Sequence, residues 1–333
     1  MKALRGWAGR LPAGWPWALG VVLFPLLLLW RPLIGGEVLF WGTPLLQFVP
    51  WQRAAAGMWR AGHLPLWNPL VGCGAPLAAN YQTAAFYPPN LLTLFVPAEV
   101  ALGWLAALHV ALAGFGMLRL GRVWGLTPFA SFIGALAAMG SGYLVSRVGL
   151  FPSMVAAFPW PIIWLWRAEA LVQRPGAPAM LGLGLALGLG LLAGHAQTAC
   201  YGLLLMAAYL GLRLAQTVRS ARAPRPVLRL CALAAGACGV GFGLAAVQLL
   251  PTAELLLQSQ RGGGLDEEFA LTYSLWPWRL LTLAAPDFFG NPGRDGYWGY
   301  ANYWEGAAHV GVLPLLLALR AVWPTSAGRP QGR

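Results

Sequence analysis

Charge is what this sequence has least of. Charged residues make up 10% of the 333-residue chain, against 58% hydrophobic, where a soluble domain carries about 25% charged. A globule of this size cannot bury so much apolar surface, because much of any globule must face water. A water-soluble fold is therefore excluded, and lipid is the expected solvent. Lysine is nearly absent: of 22 basic residues only Lys2 is lysine, and we draw no chemistry from that. The four cysteines, Cys73, Cys200, Cys231 and Cys238, are scattered without metal-ligand spacing and read as small apolar side chains. There is no Walker loop, Rossmann fingerprint or zinc signature. The run GLGLALGLG at 182–190 reads as close packing between membrane helices. The net charge of +12 is spread between apolar runs rather than gathered into a patch, so no nucleic-acid partner is expected.

What is abundant points the same way. Gly (43) and Trp (18) suit close helix packing and rings at the headgroup level. Lys2, Arg5 and Arg10 precede the first apolar run without a small-x-small cleavage pattern, so that run reads as an uncleaved span. Segments near the ~20 residues a membrane helix needs lie at 17–34, 91–118, 127–146, 150–166, 178–194, 197–215, 228–250 and 307–323. The fold expected is all-α and polytopic: about eight transmembrane helices in one membrane domain over 1–333, with large outer loops at 35–90 and 252–306. The span at 150–166 contains Pro152, Pro159 and Pro161 and should be kinked. Gly194-His195-Ala196 should form a tight helical hairpin, and 45–61 a short amphipathic helix on the outer face.

Topology follows from the arginines. With the N-terminus inside, the inner segments hold 15 of the 22 basic residues, while Glu169 is the only inner carboxylate of ten acids. Lys and Arg favour the cytoplasmic side, so both termini are expected in the cytoplasm of a bacterial plasma membrane. The two long loops face out, and long ordered loops usually carry function.

In the first loop, Trp67, Tyr81 and Tyr87 could stack on sugar faces, and Asn68, Asn80, Gln82 and Asn90 could bond sugar hydroxyls. The alternative is that the Asn residues cap turns and the rings anchor the loop. His195 with Gln197 either faces both loops or satisfies a helix C-terminus. His109, within the second span, is either a functional pointer or a helix–helix hydrogen bond.

The run PLWNPLVGCGAPLAANYQTAAFYPPNLL (65–92) resembles the hallmark of YfhO-type bacterial membrane proteins, a family similar to GT-C glycosyltransferases. GHAQTACYGLLL (194–205), QLLPTAELLLQSQR (248–261) and PDFFGNP with YWGYANYWEGAAHVGVLPLLLAL (286–319) resemble further parts of that pattern in the same order. The resemblance covers the N-terminal half of such proteins and implies a separately encoded C-terminal half as partner. It also implies sugar transfer from a polyprenyl-phosphate donor to a cell-envelope acceptor at the outer face, with a divalent metal as one option. The acid or base would be Glu37, the only carboxylate of the first loop, or Asp287, wedged before Phe288-Phe289. Where relatives often carry Asp, this chain has Thr43. Among the outer arginines (Arg53, Arg60, Arg261, Arg279, Arg294), Arg261 is the first choice for the lipid phosphate. Two other readings stand beside this one: a transporter or flippase of lipid-linked sugars, and a catalytically inactive fragment, which Thr43 and the short chain favour.

Overall fold

A computed structural model describes residues 14–220, 224–260, 264, 267, 271–272, 274–294 and 296–323. Arg261, Asp266 and Glu268 lie outside these described residues. The helices are α1 (Trp15–Leu28), α2 (Trp30–Ile34), α3 (Val49–Arg60), α4 (Ala98–Val123), α5 (Pro128–Met139), α6 (Gly142–Arg147), α7 (Pro152–Ala157), α8 (Pro159–Gln173), α9 (Ala177–Leu192), α10 (Ala196–Ser220), α11 (Arg225–Leu257) and α12 (Val312–Val322). Among the described residues the one sheet is a two-residue antiparallel ladder, β1 (Trp67–Asn68) with β2 (Ala75–Pro76).

Among the described residues four helices are long and apolar enough to cross a membrane: α4, the α5–α6 pair taken as Pro128–Arg147, α10 and α11. They mark a membrane protein. Many large apolar side chains face outward, among them Leu27, Ile34, Leu250 and Val322, an exposure that water would penalise and lipid does not.

The other expected spans fall on shorter or interrupted helices. The first breaks at Leu29 (φ −111°), so α1 has only 14 residues before α2 begins. The second starts later than hydropathy suggests. Its first apolar residues form the 3₁₀ turn Pro88–Leu94, and Pro97 caps α4, since proline fixes φ and disfavours helix in the residue before it. The fourth divides into α7 and α8 at Phe158–Pro159. The last begins only after Gly311, whose φ of +95° breaks the chain direction.

Two packed layers hold the helices together. One joins α1, α4 and α5 through Val21, Val110, Ala135 and Met139. The other joins α8, α9, α10 and α11 around Trp164, Leu183, Leu187 and Ala237. The glycine-rich run lies where α9 meets α11. A Cβ built on Gly184 would come 2.7 Å from Val240 Cβ, and one on Gly188 2.9 Å from Leu244 Cβ. Only glycine lets these backbones approach so closely. Gly188→Leu should therefore separate α9 from α11 and lower the midpoint of thermal unfolding in detergent by an amount equivalent to about 1–3 kcal/mol.

The two ends of the bundle differ in charge. At one end Glu169 accepts hydrogen bonds from Arg213 Nε and Nη2 (both 2.9 Å), Tyr209 Oη (2.8 Å) and Gln173 Nε2 (2.8 Å). Gln173 also donates to Val123 O at 2.7 Å, so the cluster ties the ends of α4, α8 and α10 together. The long loops and the short turns between α6 and α7 and between α9 and α10 gather at the other end.

Candidate functional site at the junction of the loops

The first loop is built by short-range chemistry before it docks. Asn68 accepts from Leu70 N (3.0 Å) and Asn80 from Gln82 N (3.3 Å), so each closes a turn. Trp67 lies flat on Gly74, where a Cβ would meet the indole at 2.5 Å. Asn90 Nδ2 donates to Ala84 O (3.0 Å) and holds Ala84 in a left-handed turn (φ +48°). Helix α3 backs this turn: Gln52, buried, donates to Thr83 O at 2.8 Å, and Arg60 to Thr93 O at 2.7 Å.

The loop then docks on the helix ends through residues of the sequence runs quoted above. Tyr81 Oη donates to Leu191 O, and Gly194 packs so closely on Ala84 and Tyr81 that a Cβ there would meet Ala84 Cβ at 2.9 Å. Burial raises the Tyr81 phenol to about 12, so it stays a neutral donor. Buried Gln248 donates to Ala78 O, and Thr252 Oγ1 to Ala79 O at 3.0 Å, which fastens the loop to α11. The expected hairpin at 194–196 is thus the seat of the first loop.

Tyr87 is fully buried and central to the dock. Its oxygen lies 2.7 Å from His109 Nε2 and accepts from Trp160 Nε1 at 3.1 Å. His109 Nδ1 is 2.6 Å from Leu105 O, a pure acceptor, so Nδ1 carries the proton and Tyr87 donates to Nε2. His109 thus bonds a loop residue and its own helix, not a neighbouring helix. Burial pushes the Tyr87 phenol well above its ordinary value. Tyr87→Phe would leave both Trp160 Nε1 and His109 Nε2 without a partner. It should cost about 1–3 kcal/mol in thermal unfolding, whereas a purely packing role would leave stability within a few tenths.

Beside this dock lies a void of about 30 Å³ lined by Gln52, Gln82, Asn90, His109 and Ser153 among apolar side chains. That is room for one or two waters, far below the ~300 Å³ of an ordinary ligand pocket.

The second loop joins the same end. Trp304 packs edge-on against Phe151, and His309 Nδ1 donates to Leu283 O at 2.8 Å. Gly142 N donates to His309 O at 2.6 Å. Thr43 Oγ1 donates to Leu150 O, bringing the start of the first loop to the same turn. Asp287 is exposed and accepts from Tyr303 Oη (2.8 Å) and Asn291 Nδ2 (3.1 Å). The Tyr303 phenol is raised to about 12 by burial and by the bonded Asp287 carboxylate.

Sequence reasoning passed over the group that sits at the junction itself. Arg147 ends α6, and its side chain is only 4% exposed. Its Cζ stacks 4.0 Å from the Tyr143 ring centroid. Nη1 donates to Tyr143 O (3.2 Å) and Ser146 Oγ (3.3 Å), Nη2 stands 3.7 Å from Glu305 Oε2, and Nε is buried with no partner. A guanidinium has five N–H donors, and most of these remain unused. The only sequence signal was its position: an arginine on the carboxylate-bearing side of the charge asymmetry.

His195 lies within reach of the Arg147 charge. Its Nδ1 accepts from Thr198 N (3.2 Å) and faces Thr198 Oγ1 at 2.7 Å, so it caps the start of α10 rather than satisfying a helix C-terminus. With Nδ1 accepting, Nε2 carries the proton and is left to donate. Burial first, and Arg147 second, lower His195 from 6.5 to about 4. The unfolded state therefore binds a proton more readily than the folded one between these values. The stability this group contributes is complete above about 6.5 and is lost as pH falls toward 4. His195→Gln should flatten that limb of the melting temperature against pH; an unchanged slope would assign it elsewhere.

Other sequence candidates stand apart from the junction. Glu37 pairs with Arg31 at 3.6 Å, both side chains more than half exposed. Gln197 Nε2 donates to Tyr201 Oη along α10. Arg53 pairs with Glu99 at 3.0 Å, and buried Arg279 donates to Tyr300 O. Among the described residues no three His, Cys, Asp or Glu side chains converge as a metal centre requires. Comparison with family models, curated proteins and solved structures gave no match.

Proposed function

We propose that this chain is a multi-pass, GT-C-like membrane glycosyltransferase that takes its sugar from a polyprenyl-phosphate donor at the outer face of the bacterial plasma membrane. One observation carries this reading: a buried, underused guanidinium, Arg147, stands where both long loops meet, with the free Nε2–H of His195 near it. Guanidinium N–H groups match phosphate oxygens in charge and geometry. In this reading Arg147 holds the donor phosphate, and His195, neutral at pH 7, adds a hydrogen bond without adding charge.

The transfer itself needs a base. An acceptor hydroxyl gives its proton to a carboxylate as its oxygen attacks the anomeric carbon. The bond from that carbon to the phosphate oxygen breaks, and polyprenyl phosphate leaves with the electron pair. Asp287, oriented by Tyr303 and Asn291, is the favoured base, and Glu37 the second choice. The Arg147 side chain is only 4% exposed, so the loops must part to admit the donor, as closing loops do in many enzymes.

The test is release of polyprenyl phosphate from a polyprenyl-phosphate sugar by purified protein, with Asp287→Asn and Glu37→Gln in parallel. Loss of release with Asp287→Asn alone is expected. No release by folded wild-type protein with any donor rejects the enzyme, and donor movement across vesicles without release would support a flippase instead.

A further inference from the structure

At the end of the bundle opposite the loops, α1 and α4 diverge and leave a lateral groove of about 510 Å³. Its walls are Trp15, Trp17, Ala18, Phe115 and Leu118, and its mouth carries Arg119 and Arg122. The arginines are one turn apart on α4 and so share a face. A third cation stands close by: Arg119 and Arg167 each lie 5.4 Å from the centroid of the Trp166 ring, and Arg167 Nε is buried without a partner.

Among the described residues the carboxylate at this end is Glu169, and Arg213 engages both of its oxygens. None of Arg119, Arg122 and Arg167 has an ion pair among the described residues; Arg122 donates only to Leu126 O. Like charges held together beside a membrane favour an anion from outside the chain.

We infer that this groove binds an anionic phospholipid, its phosphate between Arg119 and Arg122 and an acyl chain against Trp15, Ala18 and Phe115. The lining favours a lipid over a free phosphate, because Trp15, Trp17, Ala18, Phe115 and Leu118 are apolar. Trp15 and Trp17 in the lining suit a headgroup boundary, where indoles are favoured.

Each interfacial arginine favours anionic lipid by about fivefold, so a preference of roughly 25-fold is expected for two. The full-length protein in nanodiscs of phosphatidylcholine, with and without phosphatidylglycerol, supplies the test, read as lipid retained in native mass spectrometry. Wild type should retain phosphatidylglycerol preferentially and melt higher in its presence. Arg119→Gln with Arg122→Gln should lose the preference while melting like wild type in phosphatidylcholine, and Arg294→Gln, at the other end, should keep it. If the double variant does not fold, Arg119→Lys with Arg122→Lys should keep the preference and Ala18→Glu, which places a carboxylate in the groove, should abolish it. Equal retention of both lipids by wild type would overturn the proposal. So would an equal loss with Arg294→Gln, or full stabilisation by glycerol phosphate alone, which lacks the acyl chain. A shortened chain starting at Gly14 should bind as wild type does; loss of the preference there would assign it to residues 1–13 and also overturn the groove.

Discussion

Glu169→Ala should destabilise the protein by about 3–5 kcal/mol, the usual cost of leaving one member of a buried ion pair alone. The Glu169 side chain is 5% exposed and holds Arg213, Tyr209 and Gln173 at once. Removing it strands the Arg213 charge, deprives Tyr209 of its acceptor and loosens Gln173, which otherwise reaches Val123 O on α4. Three helix ends lose their tie together. A drop in melting temperature on the order of 5–10 °C in detergent should follow. Arg213→Met alone should cost at least as much, because it strands the Glu169 carboxylate, which is 5% exposed, whereas Arg213 is partly exposed. The pair Glu169→Leu with Arg213→Met should recover much of the loss, since well-packed apolar pairs often replace buried ion pairs without penalty. A double variant as unstable as the sum of the singles would show that the two residues act independently.

The second large effect concerns activity. Arg147→Gln should lower release of polyprenyl phosphate by roughly 10²–10³-fold, the loss typical when one preorganised donor to a developing anion is removed. Glutamine keeps some hydrogen bonding but is shorter and loses the charge and the stacking on Tyr143. Arg147→Lys should rescue only part, because a point charge cannot use the Nε and Nη directions together. The variant's melting temperature in detergent separates the two roles: a structural arginine would lower stability and activity together, whereas a phosphate-binding one lowers activity in a protein that still folds. Glu305→Gln, which removes a loose 3.7 Å contact at the rim, should leave turnover within about tenfold.

The apolar segments were plain in the sequence because burial in lipid leaves a strong local signal. Their ends were not. Leu91–Phe95 is as apolar as the helix that follows, and hydropathy runs on without a break. Only the backbone restrictions of Pro88, Pro89 and Pro97 decide that the segment is a 3₁₀ turn and that α4 starts at Ala98. The same holds for the break at Leu29 and the late start at Val312. The amphipathic helix expected at 45–61 forms over Val49–Arg60, because its apolar face is periodic enough to read.

The candidate site was less legible. Tyr87, Asn68 and Asn80 stood out for their type, yet their partners are backbone groups or buried rings, and a residue list cannot distinguish a sugar contact from a turn closure. Arg147 and Glu305 are separated by 157 intervening residues and meet only when the second loop folds back on the α6–α7 turn, so no local pattern pairs them. The runs at 65–92, 194–205 and 248–261 meet in the structure, through Tyr81 on Leu191, Gly194 on Ala84 and Gln248 on Ala78, and no local pattern in the sequence pairs them.

The proposed donor site requires the loops to lie outside the cell and the Glu169 cluster inside. Cysteine accessibility in intact cells measures this directly, using Cys73 as the sole cysteine in one variant and Arg174→Cys in a chain freed of its four native cysteines. Both positions are exposed. A membrane-impermeant maleimide should label Cys73 in intact cells and reach the Arg174→Cys variant only after the membrane is opened. Labelling of the Arg174→Cys variant in intact cells, with Cys73 protected, would invert the molecule and place the proposed donor site on the wrong side of the membrane.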